Sequence, residues 1–199
     1  MNKINFDKVM NEIIEAIKRS GERKKLLLHS CCAPCFCGCF ERLSAFDLTV
    51  YFFNPNIDTK EEYDLRAEEQ KRLCEQLGLP IIIEPFEKQN FLDIAKGLEK
   101  EREGGFRCEK CFNLRLKKTA EKCEQLKFDY FATTLTLSPL KNAPLINKIG
   151  TQIAEKTSVN YLPSDFKKNE GYKRSIELSK EFNLYRQNYC GCEFSKENK

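Results

Sequence analysis

The chain has 199 residues, 41% hydrophobic and 32% charged, with a formal net charge of +4. That length buries a proper core without disulfide staples, and no apolar run approaches the roughly 18 residues a membrane-spanning helix needs. The mild basicity is compatible with a nucleic-acid partner and too weak to establish one.

In chain order, Phe6, Val9, Met10, Ile13, Ile14 and Ile17 recur at helical spacing and predict a helix over about residues 5–19, closed by Ser20-Gly21. The amino-terminal stretch lacks an uninterrupted apolar leader, so the expected compartment is the cytoplasm, with no membrane contact. "KKLLLHS" predicts a buried strand at Lys25–His29, and "DLTVYFFNPN" a second at about 47–53, stopped by the Asn54-Pro55-Asn56 turn. A charged helix over 59–77 ends at Gly78, and "LPIIIEPF" gives a third strand near 80–84. A helix around 90–100, the loop "EREGGF" and a long helix from near Cys108 to about Leu126 follow. "FDYFATTLTLSP" supplies a fourth strand ended by Pro139; helices near 142–156 and 171–182 flank the extended piece "NYLPSDF". Apolar strands alternating with helices predict a mostly parallel sheet with helices on both faces, a three-layer α/β domain spanning 1–199. Reactive loops in such folds lie at the carboxyl ends of the strands. The stretch "HSCCAPCFCGC" begins where the first strand ends.

That stretch places Cys31, Cys32, Cys35, Cys37 and Cys39 close together in a chain of eleven cysteines. Reducing cytosol makes disulfides rare, so such thiols point to metal or redox chemistry. A second group, Cys108 and Cys111 of "RCEKC", has C-x2-C spacing at a predicted helix start. There the helix dipole, with Arg107 and Lys110, favours thiolates. The third group is Cys190 and Cys192 of "YCGC". A bridge between these two would be strained, and strained bridges are catalytic or labile rather than structural; ligation of a second metal is the other reading. Cys74 and Cys123 occupy inward positions on helices and read as small buried hydrophobes. Four thiolates drawn from two groups would serve Zn2+ or a [4Fe–4S] cluster, and spacing does not separate them.

The motifs "LLLHSCCAPC", "FFNPNI…EEY", "RCEKCFNLRL", "TTLTLSP…KN" and "GYKRSIELSKEFNLYRQNYCGC", in that order, resemble the epoxyqueuosine reductase family QueH. The resemblance implies a HUP-like, Rossmann-type fold, with the C-terminal helix and the YCGC tail closing the active site. It implies reductive removal of the epoxide oxygen of epoxyqueuosine at the tRNA wobble position, without cobalamin. It makes Cys31, Cys32, Cys108 and Cys111 the [4Fe–4S] ligands, Cys190 and Cys192 a redox-active or second-metal pair, and Cys35 a ligand of a second, mononuclear iron. Cys37 and Cys39 receive no role. Related ATPases carry a glycine-rich phosphate loop after the first strand; Cys31-Cys32-Ala33-Pro34-Cys35 stands there instead, so ATP is not expected.

The reaction needs an electron donor, which the sequence does not name, and a proton donor, for which His29, Asp165 and Tyr189 are candidates by position. Phosphate contact and base stacking on tRNA are expected from residues 166–189, where Lys167, Lys168, Lys173, Arg174 and Arg186 alternate with Tyr172, Tyr185 and Tyr189. Lys141 and Asn142 form a second candidate contact. The alternative function is a zinc-stabilised RNA-binding module without redox catalysis.

Overall fold

A computed structural model describes residues 4–196 of the chain. Its strands are β1 Lys24–His29, β2 Phe46–Phe52, β3 Ile81–Ile83, β4 Tyr130–Thr133 and β5 Asn160–Tyr161. All pair in parallel, in the spatial order β3-β2-β1-β4-β5. The helices are α1 Phe6–Ser20, α2 Ala33–Cys37, α3 Lys60–Gln76, α4 Lys88–Ala95, α5 Phe106–Gln125, α6 Ala143–Ala154 and α7 Gly171–Glu181. The expected parallel α/β layering is present, and "NYLPSDF" contributes the short edge strand.

Strand β1 shows why the sheet is covered on both sides. Successive side chains of a strand point to opposite faces, and Leu26, Leu27 and Leu28 are all fully buried. Leu26 and Leu28 join a core with Met10 and Ile14 of α1, Phe36 of α2, Leu73 of α3 and Leu178 of α7. Leu27 joins the opposite core, with Phe112 and Leu116 of α5 and Ile146 and Ile149 of α6. Among the described residues, no helix is long and apolar enough to cross a membrane.

The chain runs from β1 outward through β2 to β3, then returns to place β4 on the other side of β1. The strand order therefore reverses between β1 and β4, and the carboxyl ends of these two strands flank the crevice where ligands of such sheets bind. The cysteine-rich loop follows β1, and a 3-10 turn over Thr134–Leu137 follows β4.

Three local departures from expectation shape that crevice. The fourth strand stops at Thr133 because its hydroxyl accepts the Leu135 N–H at 3.1 Å and turns the backbone away from the ladder. The cysteine run is not a plain loop: Pro34, near the start of α2, suits a helical first turn, and α2 forms there. Helix α4 ends at Ala95, short of the predicted 100, and the Arg107 guanidinium gathers the carbonyls of Leu98, Glu99 and Glu101 into a loop. That loop delivers the start of α5, and with it Cys108 and Cys111, beside the crevice.

Candidate metal centre

At the end of β1, Ser30 anchors the turn: its N–H donates to Tyr51 O at 2.8 Å and its hydroxyl to Gln70 Oε1 at 2.6 Å. Beyond it the Cys31 and Cys32 sulfurs lie 3.9 Å apart, and with Cys35 the three Sγ atoms fall within 4.8 Å of one another. Thr134, from the turn after β4, accepts the Cys31 N–H at 3.1 Å and donates its hydroxyl to Cys31 Sγ at 3.4 Å. Hydrogen bonds from Cys32 and Cys35 hold the Cys31 thiol well below its ordinary range, against burial and with help from Lys141 and Arg115. The cost falls on its neighbours: the bond to Cys31 pushes Cys32 up to about 12, and Cys35 rises well above the ordinary value. Within the triad the ionised form is thus favoured at Cys31 over its two neighbours, and thiolate is the form that binds metal.

The triad forms the floor of a cleft of about 370 Å³ whose walls include Lys141, Tyr172, Arg186, Tyr189 and Cys190. The tail that carries Cys190 is bolted down at several points. Tyr189 donates its hydroxyl to Asp58 Oδ1 at 3.2 Å, Asp58 N–H donates to Gly191 O at 2.8 Å, and the Arg66 guanidinium lies 5.1 Å from the Tyr189 ring centre. Gly191 has φ of 101°, and a Cβ there would stand 2.9 Å from Arg66 Nη1, so glycine is required between the two cysteines.

Cys108 and Cys111 lie in the opening turns of α5, outside the compact triad. Gly104 N–H donates to Cys108 Sγ at 3.2 Å, while Cys111 is buried with Phe91, Ala95 and Cys192. Burial raises both thiols, Cys111 to about 11. Cys190 lines the cleft with the triad and lies near enough to Cys108, Cys111 and Cys192 to influence their thiols.

Other expected site residues go elsewhere. His29 is fully enclosed, with Nδ1 2.9 Å from Thr133 Oγ1, and burial followed by Arg115 presses its pKa down to about 3. It does not line the cleft. Asp165 pairs with Lys167 at 3.1 Å, also off the cleft. Asn142 caps α6 by accepting Leu145 N–H at 3.1 Å, Arg174 pairs with Glu41 at 2.9 Å, and the Tyr185 hydroxyl turns to Glu62. Of the expected RNA-contacting residues, Lys141, Tyr172, Arg186 and Tyr189 line the cleft. Cys74 and Cys123 are fully buried, as their helix positions predict. Sequence reasoning missed Arg66, Thr134 and Arg115. For Arg115 a signal existed: it follows Cys111 by four residues, so it shares that helix face.

Comparison with known proteins decides the family. The profile of epoxyqueuosine reductase QueH matches residues 26–198. A relative of that name from Staphylococcus epidermidis is 46% identical, over 97% of this chain and 85% of its own length. The chain belongs to the QueH family of epoxyqueuosine reductases. Further QueH relatives are those of Streptococcus pyogenes, 42% identical over 97% of this chain and 78% of its own, and Thermotoga maritima, 35% identical over 85% and 89%. In structure the fold is similar to the U34-tRNA thiolase NcsA from Methanococcus maripaludis, which was solved with its [4Fe–4S] cluster. The TM-score is 0.55 at 15% identity, covering 94% of this chain and 68% of that one, a likeness of fold between a QueH protein and a thiolase.

Proposed function

We propose that the chain is an epoxyqueuosine reductase acting on tRNA through metal held at the thiol-walled cleft. The observation that carries this is the meeting of Cys31, Cys32, Cys35 and Cys190 in one cleft at the switch point of a QueH-family fold. Clustered thiolates suit iron–sulfur clusters and zinc rather than hard cations, so the donor set fits a [4Fe–4S] cluster. The proposed cluster ligands are Cys31, Cys32, Cys108 and Cys111. Cys35, Cys190 and Cys192 remain for a second iron, or, for the last two, a redox dithiol. When bound, such a cluster supplies electrons one at a time.

Both C–O bonds of the epoxide break, a C=C bond forms, and oxygen leaves as water after uptake of two electrons and two protons. The electrons come from an external reductant. Lys141 lines the cleft with Cys31, Cys35 and Cys190, so its ammonium would stand as a cation and hydrogen-bond donor to the departing oxygen. Tyr189, held by Asp58, is a second proton source in the cleft. Tyr172 and Leu140, 40% and 78% exposed at the rim, suit stacking on an unstacked base. A tRNA-modifying role fits the expected cytoplasmic compartment.

One distance supports a second reading. A single ion with sulfur bonds of about 2.3 Å in a tetrahedron sets its ligands about 3.8 Å apart, and Cys31 and Cys32 stand 3.9 Å apart. A zinc-stabilised RNA-binding module would use the triad in that way. Anaerobic purification with iron, zinc and acid-labile sulfide analysis, followed by assay on epoxyqueuosine-containing tRNA with a chemical reductant, separates the two. Iron and sulfide with formation of queuosine supports the reductase. Zinc alone, or a filled cluster without turnover, overturns it.

A further inference from the structure

A buried guanidinium needs a counter-charge, because leaving it uncompensated costs several kcal/mol. Three arginines are buried among the described residues: Arg66, Arg107 and Arg115. Arg66 pairs with Glu62 at 2.6 Å. Arg107 collects three backbone carbonyls at 2.6 to 3.0 Å and lies 4.7 Å from the centre of the Phe194 ring. Like Arg107, Arg115 has no carboxylate partner among the described residues, but of the two it alone lines the cleft. It is 1% exposed; Nε donates to His29 Nε2 at 3.2 Å, Nη2 donates to Asn54 Oδ1, and its guanidinium also hydrogen-bonds the Cys111 thiol. The buried ion pairs among the described residues belong to other side chains.

The His29 and Asn54 acceptors are fixed by further bonds. Asn54 Nδ2 donates to Ser30 O at 2.9 Å, which leaves Oδ1 facing the arginine. A guanidinium can only donate, so His29 Nε2 accepts and the ring proton sits on Nδ1, 2.9 Å from Thr133 Oγ1. Phe53 O, 3.2 Å from the same Nε2, therefore takes no proton from it. The arrangement holds a full positive charge in place without cancelling it. Arg115 lines the cleft beside Cys31 and Cys35 and follows Cys111 by one helical turn.

We infer that Arg115 is a positioning residue: the built-in counter-cation of the metal–thiolate centre, held by His29 and Asn54, which sets how readily that centre is reduced. The inference rests on the metal centre proposed above. Reduction adds negative charge, and a fixed cation nearby in low dielectric favours the reduced form. Net charge and hydrogen bonds to sulfur are established levers on such potentials. The assignment also gives a task to "FFNPN" and to His29, neither of which lines the cleft.

The test is the midpoint potential of anaerobically reconstituted protein, by dye-mediated titration followed by electron paramagnetic resonance. Arg115→Gln is expected to make the centre at least tenfold harder to reduce, about 59 mV more negative for one electron. Arg115→Lys keeps the charge and is expected between that value and wild type. Asn54→Asp keeps shape and supplies the missing carboxylate, so it is expected to lower the potential with Arg115 still present. A merely structural arginine predicts no difference in potential between Arg115→Gln and Arg115→Lys. If Arg115→Gln holds no metal, Arg115→Lys against wild type decides, with Asn54→Asp showing that charge at this position reaches the centre. An unmoved or raised potential in Asn54→Asp, or a lysine variant as low as glutamine, overturns the counter-cation role. A wild-type protein without a redox metal overturns the proposed function instead.

Discussion

Within one run of five cysteines, two regions behave in opposite ways. Cys31, Cys32 and Cys35 converge on the cleft, and Cys31 is held well below its ordinary thiol range by the bonds from its neighbours. Cys37 and Cys39 turn inward. Cys37 Sγ donates to Pro34 O at 3.2 Å and Cys39 Sγ to Cys35 O at 3.1 Å, and burial pushes Cys37 up to about 11 and Cys39 well above the ordinary value. Helix α2, Ala33–Cys37, turns Cys37 onto the core face against α7, where its Sγ lies 3.5 Å from Ser175 O, and Cys39, in the turn beyond α2, is buried in the same core. Direction of presentation, not local density, decides which of these thiols could share a metal.

The strongest way to break this comparison is substitution across it. Cys31→Ser or Cys32→Ser is expected to empty the metal site and lower tRNA epoxide reduction by at least about 100-fold, a ligand loss exceeding typical outer-shell effects. Cys37→Ala and Cys39→Ala should keep wild-type iron per chain. Equal iron loss in both pairs, measured by metal analysis, would erase the distinction.

A second test extends it to distant thiols. Cys108→Ser is expected to lose the cluster, whereas Cys192→Ser is expected to retain it and lose most activity. Normal turnover in Cys192→Ser would remove the redox role from the tail.

Metal-free protein offers a direct chemical readout. At pH 8 a thiol with pKa near 11 is on the order of 0.1% thiolate, so Cys37 should react with iodoacetamide at least about 100-fold more slowly than Cys31. Peptide mass spectrometry of timed samples measures the ratio, and comparable labelling would contradict the burial argument.

A packing test sharpens the inward half. A Cβ on Gly38 would stand 2.7 Å from Ser175 Cβ and 3.0 Å from Gly171 O. Gly38→Ala is expected to destabilise the fold by about 1–3 kcal/mol through overpacking of α2 on α7, read by urea denaturation. An unchanged midpoint would show that α2 shifts freely.

The smallest effect concerns the tail. Burial raises the Asp58 pKa, but Lys196 at 2.5 Å and the Tyr189 hydroxyl outweigh it, so the net pKa is lowered. A carboxyl lowered on folding contributes stability above its unfolded pKa, about 3.9, and loses it as pH falls through the folded value. Protection of the Tyr189–Lys196 segment of metal-free protein against hydrogen exchange should thus hold at pH 5 and fall below about pH 4. Unchanged protection at pH 3 would contradict this anchor.

Much of the molecule was legible in the residues themselves. The helical stripe from Phe6 to Ile17 and the apolar runs at Leu26–Leu28 and Ile81–Ile83 carry their periodicity openly, and each formed the expected element. The three thiol groups were also visible, because vicinal cysteines and C-x2-C spacing are local patterns. The end of β4 at Thr133 was not legible, since a side chain accepting from its own turn competes with strand propensity only in context. Nor was the withdrawal of His29, Asp165, Asn142, Arg174 and Tyr185 from the cleft, because residues near a motif in sequence need not face it in space.

By itself, then, the sequence determined the alternation of elements, the family motifs and the three thiol groups, because hydrophobic period and short-range spacing are written residue by residue. Tertiary structure alone decided which thiols meet. It put Cys35 rather than Cys37 beside Cys31 and Cys32, brought Cys190 over them, and set Arg115 against neutral partners at their edge. Those outcomes depend on the reversal of strand order beside β1 and on the rotation of α2, which fix side-chain directions through contacts distant in the chain.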